Sequence, residues 1–133
     1  MEHQIELQQL VNHVMKGLTT EACSRKSLLI NDVTPGITVH ADREKLAETL
    51  FAVLKKTICH TENNCIRITA GIYDSIISLV IKHKGRCTST SIAVSMEALQ
   101  EHAECLGGSI TVVSDNDSRS MVAFSFFNGL RAA

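Results

Sequence analysis

Tryptophan is absent from the 133 residues, aromatic residues of all kinds reach only 4%, and proline occurs once. So few rings leave no stacking platform for bases or sugars. Positive charge is not in surplus either, because 13 Lys and Arg face 14 Asp and Glu, a net of −1. A protein that neutralises a phosphate backbone needs that surplus, so nucleic acid is excluded as a partner. No apolar run approaches the roughly 20 residues of a bilayer-spanning helix, and no membrane partner is expected. The opening Met1-Glu2-His3-Gln4 lacks the basic and apolar stretches of an export signal. The five cysteines form no Cys-x-x-Cys pair, and an odd number at irregular spacing reads as reduced thiols in a cytoplasmic protein. What the chain does have is apolar residues, 44% of the total, enough for a compact core rather than a disordered chain. The length fits a single domain over residues 1–133.

Leu7, Leu10, Val11, Val14 and Leu18 fall at helical spacing and predict an amphipathic helix from Glu6 to Cys23, weakened in its last turns by Gly17. A short apolar strand, Ser27 to Val33, stops at the turn signal Thr34-Pro35-Gly36, and Ile37-Thr38-Val39 reads as another brief strand. Asp42 stands at an N-cap, with Lys45 where a complete capping box would have Glu. Leu46, Leu50, Val53, Leu54, Thr57 and Ile58 then line one side of a second helix ending near Thr61. Alternation over Ile66 to Ile72, a short connection, and the apolar run Ile76 to Ile81 predict an antiparallel hairpin whose second strand is central. After a polar connection from Lys82 to Ser91, the stripe Ile92, Met96, Leu99, Ala103 and Leu106 marks a third helix, stopped by Gly107-Gly108. Ile110 to Val113, a turn at Asp115 to Ser118, and a last strand with Val122, Phe124 and Phe126 turned inward complete the chain. Strands segregated from helices in this order predict an α+β fold, a two-layer sandwich of one mixed, mostly antiparallel sheet covered on one face by three helices.

The segment Asp42-Arg43-Glu44-Lys45-Leu46 through Leu50, Leu54 and Ile58-Cys59-His60-Thr61 resembles the N-box helix of the histidine-kinase-like (Bergerat-fold) ATPase family. Gly107-Gly108-Ser109-Ile110 resembles the end of the kinase pattern, and Phe124-Ser125-Phe126 resembles its last core strand. The resemblance extends over almost the whole chain and is carried by the spacing of apolar positions. It implies a cleft for ATP and Mg²⁺, and it implies which positions should handle them.

Those positions hold unexpected residues. Where the family's helix carries an activating polar residue, this chain has Ala52, which neither takes nor gives a proton. Where the family has a Mg²⁺-ligating asparagine, it has Lys56, an ammonium with no lone pair that repels a divalent cation. The aspartate that accepts the adenine amino group is matched by His83, the following glycines by Gly85 and Cys87. Only Arg86 to Ile92 stand where the family has a long glycine-rich lid, and Ala93-Val94-Ser95-Met96 replaces the segment whose backbone approaches phosphate. The resemblance also implies a chain that begins essentially at the ATPase domain, and the two-helix phosphoacceptor domain that precedes it in sensor kinases is not expected. His13 lacks the local pattern of a phosphoacceptor and reads as a helix-surface residue.

Other groupings have simpler explanations beside the functional ones. Lys55 and Lys56 make either an anion patch or a solvated helix end, where the macrodipole favours cations. His102 and Cys105 share a helix face, and Cys59, His60 and Cys65 cluster near a turn, but adjacent Cys59 and His60 point about 100° apart. Small buried cysteines are therefore the expectation, and no metal site. His40 with Asp42, and Glu44 with Glu48, read as surface groups near a helix start. Cys87 lies beside Arg86 and Lys84, which would lower its pKa, yet no positioned base accompanies it. The expectation is thus a stand-alone, non-catalytic domain without catalytic residues or cofactor. It would work as an interaction or regulatory module in bacterial two-component-type signalling, with a histidine kinase, a response regulator or a second copy as partner. The alternatives are an atypical ATP site, in which Lys56 replaces Mg²⁺ and His83 reads the base, and a different small molecule in the same cleft.

Overall fold

A computed structural model describes residues 2–60, 63–83, 96–114 and 120–128. The helical stripe of the first segment becomes α1 (Leu7–Ser24), with Leu7, Leu10, Val11, Val14, Met15, Leu18 and Ala22 buried. Its N-cap is Glu6, whose carboxylate accepts the Gln9 N–H at 2.9 Å and, across the chain, the Gly36 N–H at 3.0 Å. One carboxylate thus satisfies an orphan donor of the helix and closes the turn at Thr34-Pro35-Gly36 against it. Gly17 faces the next helix, and a methyl there would stand 3.4 Å from the Phe51 ring, an ordinary contact.

That next helix is α2 (Arg43–Cys59), started by Asp42, whose carboxylate accepts the Lys45 N–H at 3.2 Å. Its buried side includes Leu46, Leu50, Val53, Leu54 and Ile58, together with Thr49 and Thr57. Both hydroxyls are satisfied by the preceding turn, Thr49 donating to the Lys45 carbonyl at 2.8 Å and Thr57 to that of Val53 at 2.9 Å.

Five strands form the main sheet in the order β2-β4-β5-β7-β6: β2 (Leu28–Asn31), β4 (Cys65–Tyr73), β5 (Ile76–His83), β7 (Ser120–Phe127) and β6 (Ser109–Ser114). Only β2 and β4 run parallel; the rest of the sheet is antiparallel. As the continuous apolar run predicts, β5 is central, with its register matching Ile81 to Ile68 and Val122, and Leu79 to Ala70 and Phe124. Ile66, Ile68, Ile77, Leu79, Ile81, Val122, Phe124 and Phe126 are buried under the helices, and the two phenylalanine rings lie 5.3 Å apart. The fold is the α+β sandwich expected, with one addition. β1 (Glu2–Glu6) pairs antiparallel with β3 (Thr38–Asp42) in a separate two-stranded sheet, setting Ile5 against Val39 in the same core. Only Ile5 in β1 has a buried apolar side chain to signal a strand, so the sequence pattern passes over it.

Among the described residues the third helical region is interrupted at Ala98 and Leu99. Met96 and Glu97 form a helical turn, and a separate short helix, α3, spans Gln100–Glu104. Met96, Leu99, Ala103 and Leu106 are buried as the spacing requires, whereas Ile92 lies outside the described residues. The chain leaves α3 through paired bonds, Gly107 N–H to the Glu104 carbonyl and Gly108 N–H to that of Ala103, both 2.9 Å. This is a Schellman ending, with Gly107 at φ +71° in the left-handed region. Gly108 has a different reason: a methyl there would overlap the Ser125 carbonyl oxygen and stand 2.7 Å from the Phe126 Cα. The two glycines that carry the resemblance at this point therefore serve the scaffold. The turn expected at Asp115 to Ser118 lies outside the described residues.

Candidate functional site

Helix geometry sorts the residues of α2 into flanks. At 100° per residue, Phe51 and Lys55 fall on the side facing α1, where Phe51 meets Gly17 and the Lys55 ammonium lies 6.0 Å from its ring centroid. Ala52 and Lys56, four residues apart, share the opposite flank beside Thr49. The two lysines leave the helix about 100° apart. Lys56 is exposed in the last turn of the helix, where the C-terminal end of the dipole favours a cation. Ala52 is half-buried and offers only a methyl. The Thr49 hydroxyl is committed to its own backbone. Neither Ala52 nor Lys56 supplies an oxygen ligand for a divalent cation or a base.

His83 is placed by the sheet. The strand continues past Ile81, where the sequence pattern suggested a polar connection, because β4 and β7 both reach far enough to pair with it: Ile66 and Ser120 are its register partners. Alternation then puts His83 on the covered face with Ile77, Leu79 and Ile81, and leaves it 3% exposed. Burial drives its pKa below the ordinary 6.5, so the ring is neutral at neutral pH. Neither ring nitrogen has a hydrogen-bond partner among the described residues. A buried imidazole left in this state is costly, since each unmade bond forfeits about 1–3 kcal/mol of solvation. Gly85 and Cys87, which follow it in the chain, lie outside the described residues.

The remaining groupings resolve more simply. Asp42 serves as the α2 cap, and the Lys45 N–H it accepts is the main cause holding its carboxyl below the ordinary 3.8. His40 does not work with it: the His40 backbone N–H donates to Asn128 at 2.9 Å, and its Nδ1 is buried without a partner among the described residues. Glu44 and Glu48 are exposed on α2, and His13 is exposed on α1. Cys23, Cys59, Cys65 and Cys105 carry no disulfide, and all four are exposed, which corrects the expectation of buried thiols. The polar alternate of each strand or helix turn takes them, because the buried positions are filled by larger aliphatic side chains. Among the described residues no three His, Cys, Asp or Glu side chains gather in a metal-binding group. Nor is any helix among them long and apolar enough to cross a membrane.

The arrangement of helices on this sheet is found in solved histidine kinases. The histidine kinase AdeS of Acinetobacter baumannii superposes with a TM-score of 0.80 at 18% identity, over 97% of this chain and 68% of that one. The nucleotide-free catalytic domain of the histidine kinase ThkA matches at 0.76 and 14% identity, over 96% of this chain and 97% of that domain. This chain has the histidine-kinase-like ATPase fold. ThkA in complex with the response regulator TrrA also matches, at 0.70 and 14% identity, over 96% of this chain and 42% of that one. No protein-family profile and no curated protein matches the sequence. Helix α2, and His83 at the end of strand β5, are thus the places that the resemblance assigned to the nucleotide cleft. The resemblance singles out Ala52, Lys56 and His83; the burial of His83 required the tertiary structure.

Proposed function

We propose that the chain is a non-catalytic regulatory module of two-component-type signalling in the bacterial cytoplasm, that it does not bind Mg-ATP in the ordinary way, and that it acts through a protein partner. One observation carries this reading: the α2 flank that would face the phosphates presents a methyl from Ala52 and an ammonium from Lys56. Mg²⁺ takes oxygen ligands in near-octahedral geometry, and a lysine in place of an oxygen ligand both removes a bond and adds repulsion. The residues present do not fit a magnesium-bridged triphosphate, and no reaction step is assigned to them. A histidine kinase or a response regulator is the partner class that the fold supports, since one kinase of this fold has been solved with its response regulator. Isothermal titration with Mg-ATP tests the reading. No saturable heat is expected, and a dissociation constant in the tens of micromolar or below overturns it.

The His83 ring, whose nitrogens have no partner among the described residues, favours a second reading, in which the cleft takes metal-free nucleotide or another small molecule with Lys56 as counter-charge. A thermal-shift titration with ATP in the presence of chelator distinguishes the two. Under the second reading ATP raises the melting temperature and Lys56→Ala abolishes the rise; under the first, ATP has no effect.

A further inference from the structure

Among the described residues strand β6 closes one side of the main sheet, so one row of its backbone groups faces away from β7. Edge strands of this kind are usually guarded by charge, proline or a bulge. The sequence of β6, Ser-Ile-Thr-Val-Val-Ser, contains no charge and no proline, and all six of its residues pair with β7 without a bulge. Its guard comes instead from α3. The Gln100 side-chain amide donates from Nε2 to the Ile110 carbonyl at 2.5 Å and accepts the Ile110 N–H through Oε1 at 3.2 Å. A primary amide has the same donor and acceptor pair as a peptide group. Gln100 thus occupies the edge as one residue of a neighbouring strand would.

The contact also fixes the phase of the edge. Because the Ile110 N–H and C=O both point outward, alternation turns those of Val112 and Ser114 outward too. We propose that Gln100 is an intramolecular guard of the β6 edge, and that the edge it guards is a pairing site for β6 of a second copy. A second β6 fits this edge because neither strand carries a charge to set against the other. An antiparallel pair about a two-fold axis at Val112 sets Ile110 opposite Ser114 and Thr111 opposite Val113 of the second copy, with no charge against charge. The same row is presented by both copies, as an isologous contact requires. Thr111 and Val113 are exposed on the outer face of the sheet, Val113 by 46%, and would meet across the new pair. The inference stands whether or not the cleft binds nucleotide, since it uses the β6 edge and a separate observable.

Sedimentation of the full chain over a micromolar concentration series tests it. Gln100→Ala is expected to strengthen dimerisation by about tenfold or more, the worth of the paired bonds it no longer makes. In that dimer the Val112 amide should become protected from hydrogen exchange. Adding Thr111→Lys and Val113→Lys, which sets lysines opposite one another across the axis, should return the chain to monomer. Gln100→Glu gives a second route that keeps the side-chain length, because its carboxylate has no N–H for the Ile110 carbonyl. The proposal is overturned when both folded Gln100 variants sediment as the wild type does. It is equally overturned when the dimer survives the two lysines, or forms without protection at Val112.

Discussion

Lowering the pH below neutrality should destabilise this protein through a single ring. His83 is 3% exposed, and its pKa is lowered from 6.5 by burial alone. In the unfolded chain the imidazole takes up a proton as the pH falls through 6.5; in the folded protein it does so only at its lower folded value. Between those two values the unfolded state holds one more proton than the native state, so acid favours unfolding. The contribution is fully present above pH 6.5 and is lost on the acid side at up to about 1.4 kcal/mol per pH unit, ending once the folded ring protonates. Urea denaturation at half-unit steps from pH 8 to pH 5 measures the slope. His83→Leu removes the titrating group and also two buried nitrogens that have no partner among the described residues, so its stability at pH 8 should equal or exceed that of the wild type. The difference between the two proteins isolates this proton from the carboxylates that titrate at lower pH. Equal slopes for wild type and His83→Leu below pH 6.5 would refute the reasoning, because the ring would then be titrating alike in both states.

Two further substitutions probe the scaffold. Gly108→Ala should cost about 2–4 kcal/mol, seen as a large drop in melting temperature, because its methyl meets the β7 backbone rather than a side chain able to yield. Gly17→Ala should act in the other direction: the methyl sits 3.4 Å from Phe51, an ordinary contact, and alanine improves helix propensity by up to about 1 kcal/mol. A melting temperature that falls for Gly17→Ala would show that α1 and α2 pack too closely there for any side chain.

The sequence determined most of the helices and strands because burial imposes a period that a reader can count. Leu46, Leu50, Val53, Leu54 and Ile58 announce α2 without help, and the alternation of Ile66, Ile68 and the Ile76–Ile81 run announces the hairpin. It also placed Asp42 as a cap and Gly107 as a helix stop, since both are local consequences of backbone geometry. It also showed which residues, Ala52 and Lys56, stand at the two α2 positions that the resemblance assigns to an activating group and a metal ligand, because they are what they are in any fold. What it left open depends on neighbours distant in the chain. β1 is a strand because β3 lies beside it, and His83 is buried because two other strands extend to cover its position. Gly108 is required by the nearness of β7, and Gln100 guards an edge ten residues away. Period and capping are written over a few adjacent residues. The close approach of backbones and the satisfaction of a polar group are decided only when remote segments meet.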